Sequence, residues 1–194
     1  MTTGKFPRAV MLAAGAASRF GGGKLLHPLA DGLAIAVHSL RNLRAAGLDV
    51  TAVVRPGDDA LAALLRAEGA QVTVCERAEE GMGASLACGV AAAPSDIGWV
   101  IALADMPALK PDTIRTIAAA IRDGALIAAP VRDGQRGHPV SFAARYGNEL
   151  AALGGDEGAR SIVQRDRKSM MLIPVDDPGV LLDIDRREDV PRTV

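Results

Sequence analysis

Short, unbroken apolar runs alternate with stretches of helical period along almost the whole chain. AVMLA (9–13), VTAVV (50–54), QVTVC (71–75), GWVIALA (98–104), ALIAAP (125–130), PVSF (139–142), MMLIPV (170–175) and VLLDID (180–185) read as strands. Between them, Val37, Leu40, Leu43 and Ala46 recur at helical spacing, and Gly47 supplies a stop. Asp58 is placed to cap a helix carrying Leu61, Leu64 and Leu65, which Gly69 ends. SLACGVAAA (85–93) reads as a helix of small residues, and Pro111 opens one with Ile114, Ile117 and Ile121 on one face. Two further helical stretches fall around 143–153 and 158–166, and RREDVP (186–191) begins a last turn. This alternation predicts an α/β fold over a single domain, 1–194, with a three-layer, mainly parallel, doubly wound sheet. In such Rossmann-like sheets ligands bind beyond the carboxyl ends of the strands, so the loops there carry the functional question.

Composition sharpens the picture by exclusion. Apolar residues make up 49% of the 194 and aromatics 3%, so the core is built from Ala, Val, Leu and Ile, as helix-covered parallel sheets require. A net charge of −1 exerts no general pull on nucleic acid or membrane, and few aromatics are present to stack bases. MTTGKFPRAVMLAAG is too short to span a bilayer and lacks a signal-peptide layout, so a cytoplasmic protein is expected. Cys75 and Cys88, without a CxxC or Cys/His cluster, are expected as buried, reduced thiols. His27 and His38 have no metal-ligand spacing, and His38 is expected to pack beside its helix's apolar face.

The loop after the first strand is the first candidate for chemistry. LAAGAASRFGGGKLL (12–26) is not a dinucleotide fingerprint, because Ala17 follows Gly15 where the second glycine is needed. It is not a P-loop either, with Ser18 and Leu25 at the deciding positions. What remains is a permissive backbone able to close around an anion, with Arg19 and Lys24 spaced to reach different phosphates of one triphosphate. The same residues also suit a surface loop with two solvated cations, and spacing alone leaves both readings open.

This stretch resembles the LAxGxSxRxGxxKxLL signature of the MobA-like nucleotidyltransferases, with Ser18, Arg19, Gly21 and Lys24 as fixed points and Ala17 an extra residue. Further matches follow in that family's order: GMGASLACGV (81–90), LADMPAL (103–109), RGHPVSF (136–142), GDEGAR (155–160) and DIDRREDV (183–190). Together they cover essentially the whole chain and are most similar to the molybdenum cofactor cytidylyltransferase branch. The resemblance implies a sheet of the nucleotide-diphospho-sugar transferase type. It also implies transfer of CMP from CTP to the terminal phosphate of molybdopterin, with release of pyrophosphate. Such reactions are catalysed by positioning and charge neutralisation, without a covalent nucleophile.

Carried over by residue, the resemblance implies that Leu12, Ala13, Ala14 and Gly15 present backbone to base and ribose. Arg19 and Lys24 would bind the triphosphate, Lys24 near the α-phosphate. Asp105, ending the long apolar run, would hold Mg²⁺; without a metal it would be a turn cap before Pro107. Asp183 and Asp185 would share one strand face, and one of them, Asp185 by preference, would add a second metal contact; the plainer reading is a solvated strand end. Gly81 gives close backbone approach, and Ser85 is either a helix N-cap or a nucleotide contact at a helix end that favours phosphates. Arg136, Gly137 and His138 would face the acceptor, His138 donating to it or bracing the loop.

Guanylyl-transferring relatives carry LAGG where this chain has Leu12-Ala13-Ala14-Gly15. A methyl at Ala14 crowds a purine and leaves room for a pyrimidine, which favours CTP over GTP. Three other readings remain: a GTP-using guanylyltransferase of the cofactor or a related acceptor, an NAD(P)-dependent oxidoreductase of similar fold, and a nucleotide-binding chaperone that delivers the cofactor. The branch also implies transient contact with a molybdenum hydroxylase.

Overall fold

A computed structural model describes residues 6–190. Eight strands form one sheet. Four are parallel neighbours: β1 (Arg8–Leu12) lies between β2 (Val50–Val54) and β4 (Gly98–Leu103), and β3 (Gln71–Val74) extends beyond β2. Met11 stands opposite both Ala52 and Ala102, so the three central strands end level with one another. β7 (Val140–Ala143) then pairs antiparallel with both β4 and β5 (Ile127–Arg132), a reversal inside a mainly parallel sheet. β5 also pairs in parallel with β8 (Met170–Pro174) and forms a tight hairpin with β6 (Gln135–Arg136).

Alternate residues of each central strand feed different cores, as a period of two requires. Ala9, Met11, Ala52 and Ala102 face α1 (Ile35–Ala45), α2 (Asp59–Ala67) and α4 (Pro111–Arg122) through Leu40, Leu65 and Ile114. Val10, Val53 and Ile101 face α3 (Met82–Ala92), α5 (Gly147–Ala151) and α6 (Arg160–Arg165) through Leu86, Leu150 and Ile162. Each fully buried Leu or Ile contributes roughly 1.5–3 kcal/mol. The small residues of α3 have a specific cause. A Cβ on Gly89 would strike Val10 and come within 2.7 Å of Val53, so this helix lies directly on β1 and β2.

Two local expectations are corrected. Asp58 occupies the N-cap position of α2 but makes no side-chain capping bond. VLLDID is not a strand: residues Pro178–Leu181 form a 3₁₀ turn, and an irregular segment follows. Asp177 takes the N–H of Gly179 at 2.9 Å and of Lys110 at 2.9 Å, which starts the turn. Backbone then meets backbone, with no room for a Cβ at Gly179 against Ala108 and Leu109. The segment's hydrogen bonds go singly to other loops: Val180 accepts from His138 N–H at 2.9 Å, and Ile184 donates to Asp105 at 3.0 Å. Cys75 is buried and Cys88 half-buried, both as free thiols. His38 does more than pack, lying 3.0 Å from an Asp31 oxygen. Among the described residues no helix is long and apolar enough to cross a membrane.

Candidate active site

The carboxyl ends of β1, β2 and β4 open onto a cavity of about 690 Å³. Its floor is the backbone of residues 12–17, held in register by Ala13 N–H to Val53 at 2.9 Å and Ala104 N–H to Leu12 at 3.0 Å. Beyond the floor the chain needs a left-handed backbone four times, at Ala17 (φ 50°), Gly21 (86°), Gly22 (90°) and Gly23 (65°). That requirement accounts for the glycine run, and Ala17, the extra residue, takes the one left-handed position without glycine. Phe20 pins the loop from beneath by packing with Leu29, Ile35 and Ile184.

The anchored loop turns Lys24 inward, and the residue is buried. Its Nζ lies 2.6 Å from Asp105 Oδ2 and 3.8 Å from Asp185 Oδ1, while Arg19 reaches Asp185 Oδ2 at 2.7 Å. Asp105 stands just past the end of β4, and its second oxygen, Oδ1, is buried without a hydrogen-bond partner. The bond from Ile184 to the Asp105 carbonyl sets Asp183 and Asp185 on either side of it, so both line the cavity without lying on a strand.

Among the described residues no three metal-ligating side chains form a ready-made cage. An orphaned carboxylate oxygen with two further carboxylates nearby still fits a hard divalent cation that keeps water and phosphate in its shell. Asp105 is the centre of that donor set, and Asp183 and Asp185 are its neighbours.

The opposite wall is the start of α3. Gly81 is the N-cap here, and Ser85 is the fourth helical residue, donating to the Gly81 carbonyl at 3.3 Å. Ser85 is therefore not an N-cap, yet it is buried and lines the cavity. The N–H of Gly83 donates to the Gly155 carbonyl at 2.7 Å, so the loop of GDEGAR already occupies this helix end. A Cβ on Gly81 would strike Asp156, and one on Gly83 would strike Gly154, so the two segments pack in direct contact. The wall they make is acidic, with Glu79 and Asp156 both lining it.

Three charged lining residues were not singled out from the sequence: Arg55, Glu79 and Asp156. Arg55 directly follows β2, a position the carboxyl-end rule points to, and among the described residues it forms no ion pair. Arg136, Gly137 and His138 do not line the cavity. Gly137 N–H binds the Pro130 carbonyl at 2.9 Å, which carries the segment from the β5–β6 hairpin toward Val180. The His138 Nδ1 is buried without a partner. Burial pushes the imidazole below its ordinary pKa and the Arg136 charge adds to this, while Asp105 and Asp183 pull the other way.

The model of the MobA-like NTP transferase domain matches residues 9–170. The chain belongs to this family. Over 191 residues it is 32% identical to the purine catabolism protein PucB of Bacillus subtilis, covering 93% of this chain and 92% of that protein. It is 29% identical over 192 residues to nicotine blue oxidoreductase of Paenarthrobacter nicotinovorans, covering 94% of each. The solved structure of Rv0371c from Mycobacterium tuberculosis, as its manganese complex, superposes with a TM-score of 0.80 at 29% identity, covering 95% of this chain and 96% of that one. The protein is a nucleotidyltransferase of the MobA-like family, which implies a nucleoside triphosphate as its substrate class.

Proposed function

We propose that this MobA-like enzyme transfers CMP from CTP to the terminal phosphate of molybdopterin. An oxygen of that phosphate attacks the α-phosphorus of CTP, the bond to the β-phosphate oxygen breaks, and pyrophosphate leaves. The observation that carries the reading is the contact of Lys24 with Asp105 at 2.6 Å in a cavity large enough for a nucleotide.

Two anions must meet in this reaction, so the work of the chain is charge placement. Lys24 neutralises the α-phosphate as charge builds there, and Arg19 holds the outer phosphates. Asp105, with Asp185 or Asp183, would hold Mg²⁺, which would supply charge screening and polarisation at the triphosphate. Leu12, Ala13, Ala14 and Gly15 bear on base and ribose together with Gly81 and Ser85. Arg55 joins them from the end of β2. Arg136, Gly137 and His138 receive the acceptor at the margin of the cavity, with Arg136 pairing its phosphate. His138, its pKa pushed down by burial, is neutral near pH 7 and meets the acceptor as a hydrogen-bonding group.

Support for CTP over GTP comes from Ala14, which lines the cavity where a purine needs more width. The family match supports an NTP as substrate. Resemblance to the cytidylyltransferase branch supports molybdopterin as acceptor and a molybdenum hydroxylase as transient client, in the cytoplasm. One relative, nicotine blue oxidoreductase, favours a second reading as an oxidoreductase. Against it, the first loop lacks the dinucleotide fingerprint.

The test is pyrophosphate release measured with each of the four NTPs, Mg²⁺ and purified molybdopterin. CTP is expected to be the best substrate. Release with GTP alone would move the enzyme to the guanylyl branch. Saturable NADPH binding without any NTP turnover would establish the oxidoreductase instead.

A further inference from the structure

The sheet ends at β3 on one side and at β8 on the other, and among the described residues each has an unpaired edge. The two edges differ in chemistry. β3 reads QVTV, alternating polar and apolar, which suits an edge that faces water. β8 reads MMLIP, without a polar residue, and its Met171 and Leu172 are 49% and 50% exposed. An apolar edge of this kind is a template for another strand. We propose that β8 pairs antiparallel with β8 of a second copy of this chain, joining two sheets across a two-fold axis at Leu172. The proposal is independent of what the cavity binds.

The first argument comes from the backbone. Val175 donates its N–H to the Val131 carbonyl at 3.1 Å, so Met171 and Ile173 also turn their backbone groups toward β5. Met170, Leu172 and Pro174 turn theirs outward. Met170 already gives its N–H to the Arg167 carbonyl, and a proline has none to give. Leu172 therefore holds the outward donor of the strand, with its own carbonyl beside it. Such a residue complements itself. Each Leu172 gives its N–H to the carbonyl of the other, and one two-fold operation satisfies both.

The second argument comes from charge, which fixes the register. With Leu172 opposite Leu172, Met171 faces Ile173 and Met170 faces Pro174, so apolar residues cover one another on both faces of the joined sheet. Beyond the strand, Lys168 faces Asp176. Lys168 is exposed in the 3₁₀ turn that leads into β8, and among the described residues it forms no ion pair. The Asp176 side chain is 99% exposed, with Arg132 3.6 Å away. Symmetry makes this pair of opposite charges twice. Sliding the copies by two residues one way sets Asp166 against Asp176, and the other way sets Lys168 against Pro178. Of these three registers, the one centred on Leu172 matches charge.

Analytical ultracentrifugation of the full chain over about 1–300 µM tests this. The wild type is expected to pass from monomer to dimer across that range. Lys168→Glu and Asp176→Lys each set like charges opposite one another, and each is expected to raise the dissociation constant about tenfold. An equimolar mixture of these two variants puts opposite charges back in both pairs, and is expected to dimerise as tightly as the wild type. Leu172→Lys, which brings two ammonium groups together on the axis, is expected to stay monomeric. All three positions are exposed, and circular dichroism confirms that each variant is folded. A wild type that stays monomeric throughout would overturn the proposal. A dimer indifferent to Leu172→Lys or to either charge reversal, or single variants that do not re-pair when mixed, would overturn it too.

Discussion

In the proposed reaction the choice between CTP and GTP falls to a single methyl group, that of Ala14. It lines the cavity, and the LAGG pattern of guanylyl-transferring relatives differs from this chain at that residue. Ala14→Gly is expected to raise the ratio of GTP to CTP turnover by about tenfold, a change of roughly 1.4 kcal/mol, which lies within what one methylene confers in a shaped pocket. Competition kinetics with the two nucleotides read it, and an unchanged ratio would free Ala14 of that role. Lys24→Ala removes the cation assigned to the α-phosphate. About 10²–10³ in kcat is expected to be lost, as for other preorganised groups that stabilise transition-state charge. Full turnover by that variant would remove Lys24 from the mechanism. The cations of this loop stood out in the sequence, but their spacing suited a solvated surface loop equally well; what the structure adds is Lys24 buried against Asp105. Arg55 did not stand out. A lone arginine after a strand looks like any solvated terminus until β1 and β2 are seen to end side by side.

At the scale of the element, the strands of the sheet's core were the most legible part. VTAVV was expected at 50–54, and β2 occupies those residues. A buried parallel strand leaves a near-continuous apolar run of this length. VLLDID misled because its apolar residues serve two separate purposes. Val180 is buried in the core beside α1 and α4, and Ile184 in the small cluster beneath the first loop. The turn at Asp177 lies just before them; its carboxylate caps Gly179 locally and also binds the N–H of Lys110, far away in sequence.

The close seating of α3 gives a stability prediction. Gly89→Ala places a methyl against Val10 and Val53, and overpacking of this kind costs about 1–3 kcal/mol. Thermal unfolding is expected to fall by several degrees, and an unchanged midpoint would contradict the packing.

The link between α5 and α6 gives a second prediction. Asp166 is held to a pKa of about 2 by Arg165 first and then by the Tyr146 hydroxyl, which lies 2.9 Å away. Its folded pKa is below the ordinary 3.8, so its contribution is complete above that pH and is lost as the pH falls toward about 2. Acid unfolding curves of wild type and Asp166→Asn are expected to differ at pH above 3.8 and to converge as pH falls toward about 2. Curves that stay apart at the acid end would show that the carboxylate's charge is not the cause.

On the scale of the whole molecule, the cavity draws on segments distant in sequence that only the sheet brings together. Arg19 and Lys24 come from the loop after β1, Asp105 from the end of β4, and Asp185 from the irregular segment near the end of the described chain. The six motifs stand in order along the sequence, and the fold brings five of them to the walls of one space. GDEGAR docks on the start of α3, which no spacing argument could show, since contact between residues 83 and 155 is a property of the folded chain alone. RGHPVSF remains outside the cavity lining, which places the acceptor at its margin in the proposed reaction.

That geometry has one direct test. CTP carrying a label on its α-phosphate, or separately on its γ-phosphate, is given to the enzyme with Mg²⁺ and molybdopterin, and the products are separated after a single turnover. The account predicts that the α-label appears on the molybdopterin dinucleotide and the γ-label in pyrophosphate, in equal amounts. Transfer of the γ-label to the acceptor, or an α-label that stays on free CMP, would contradict it.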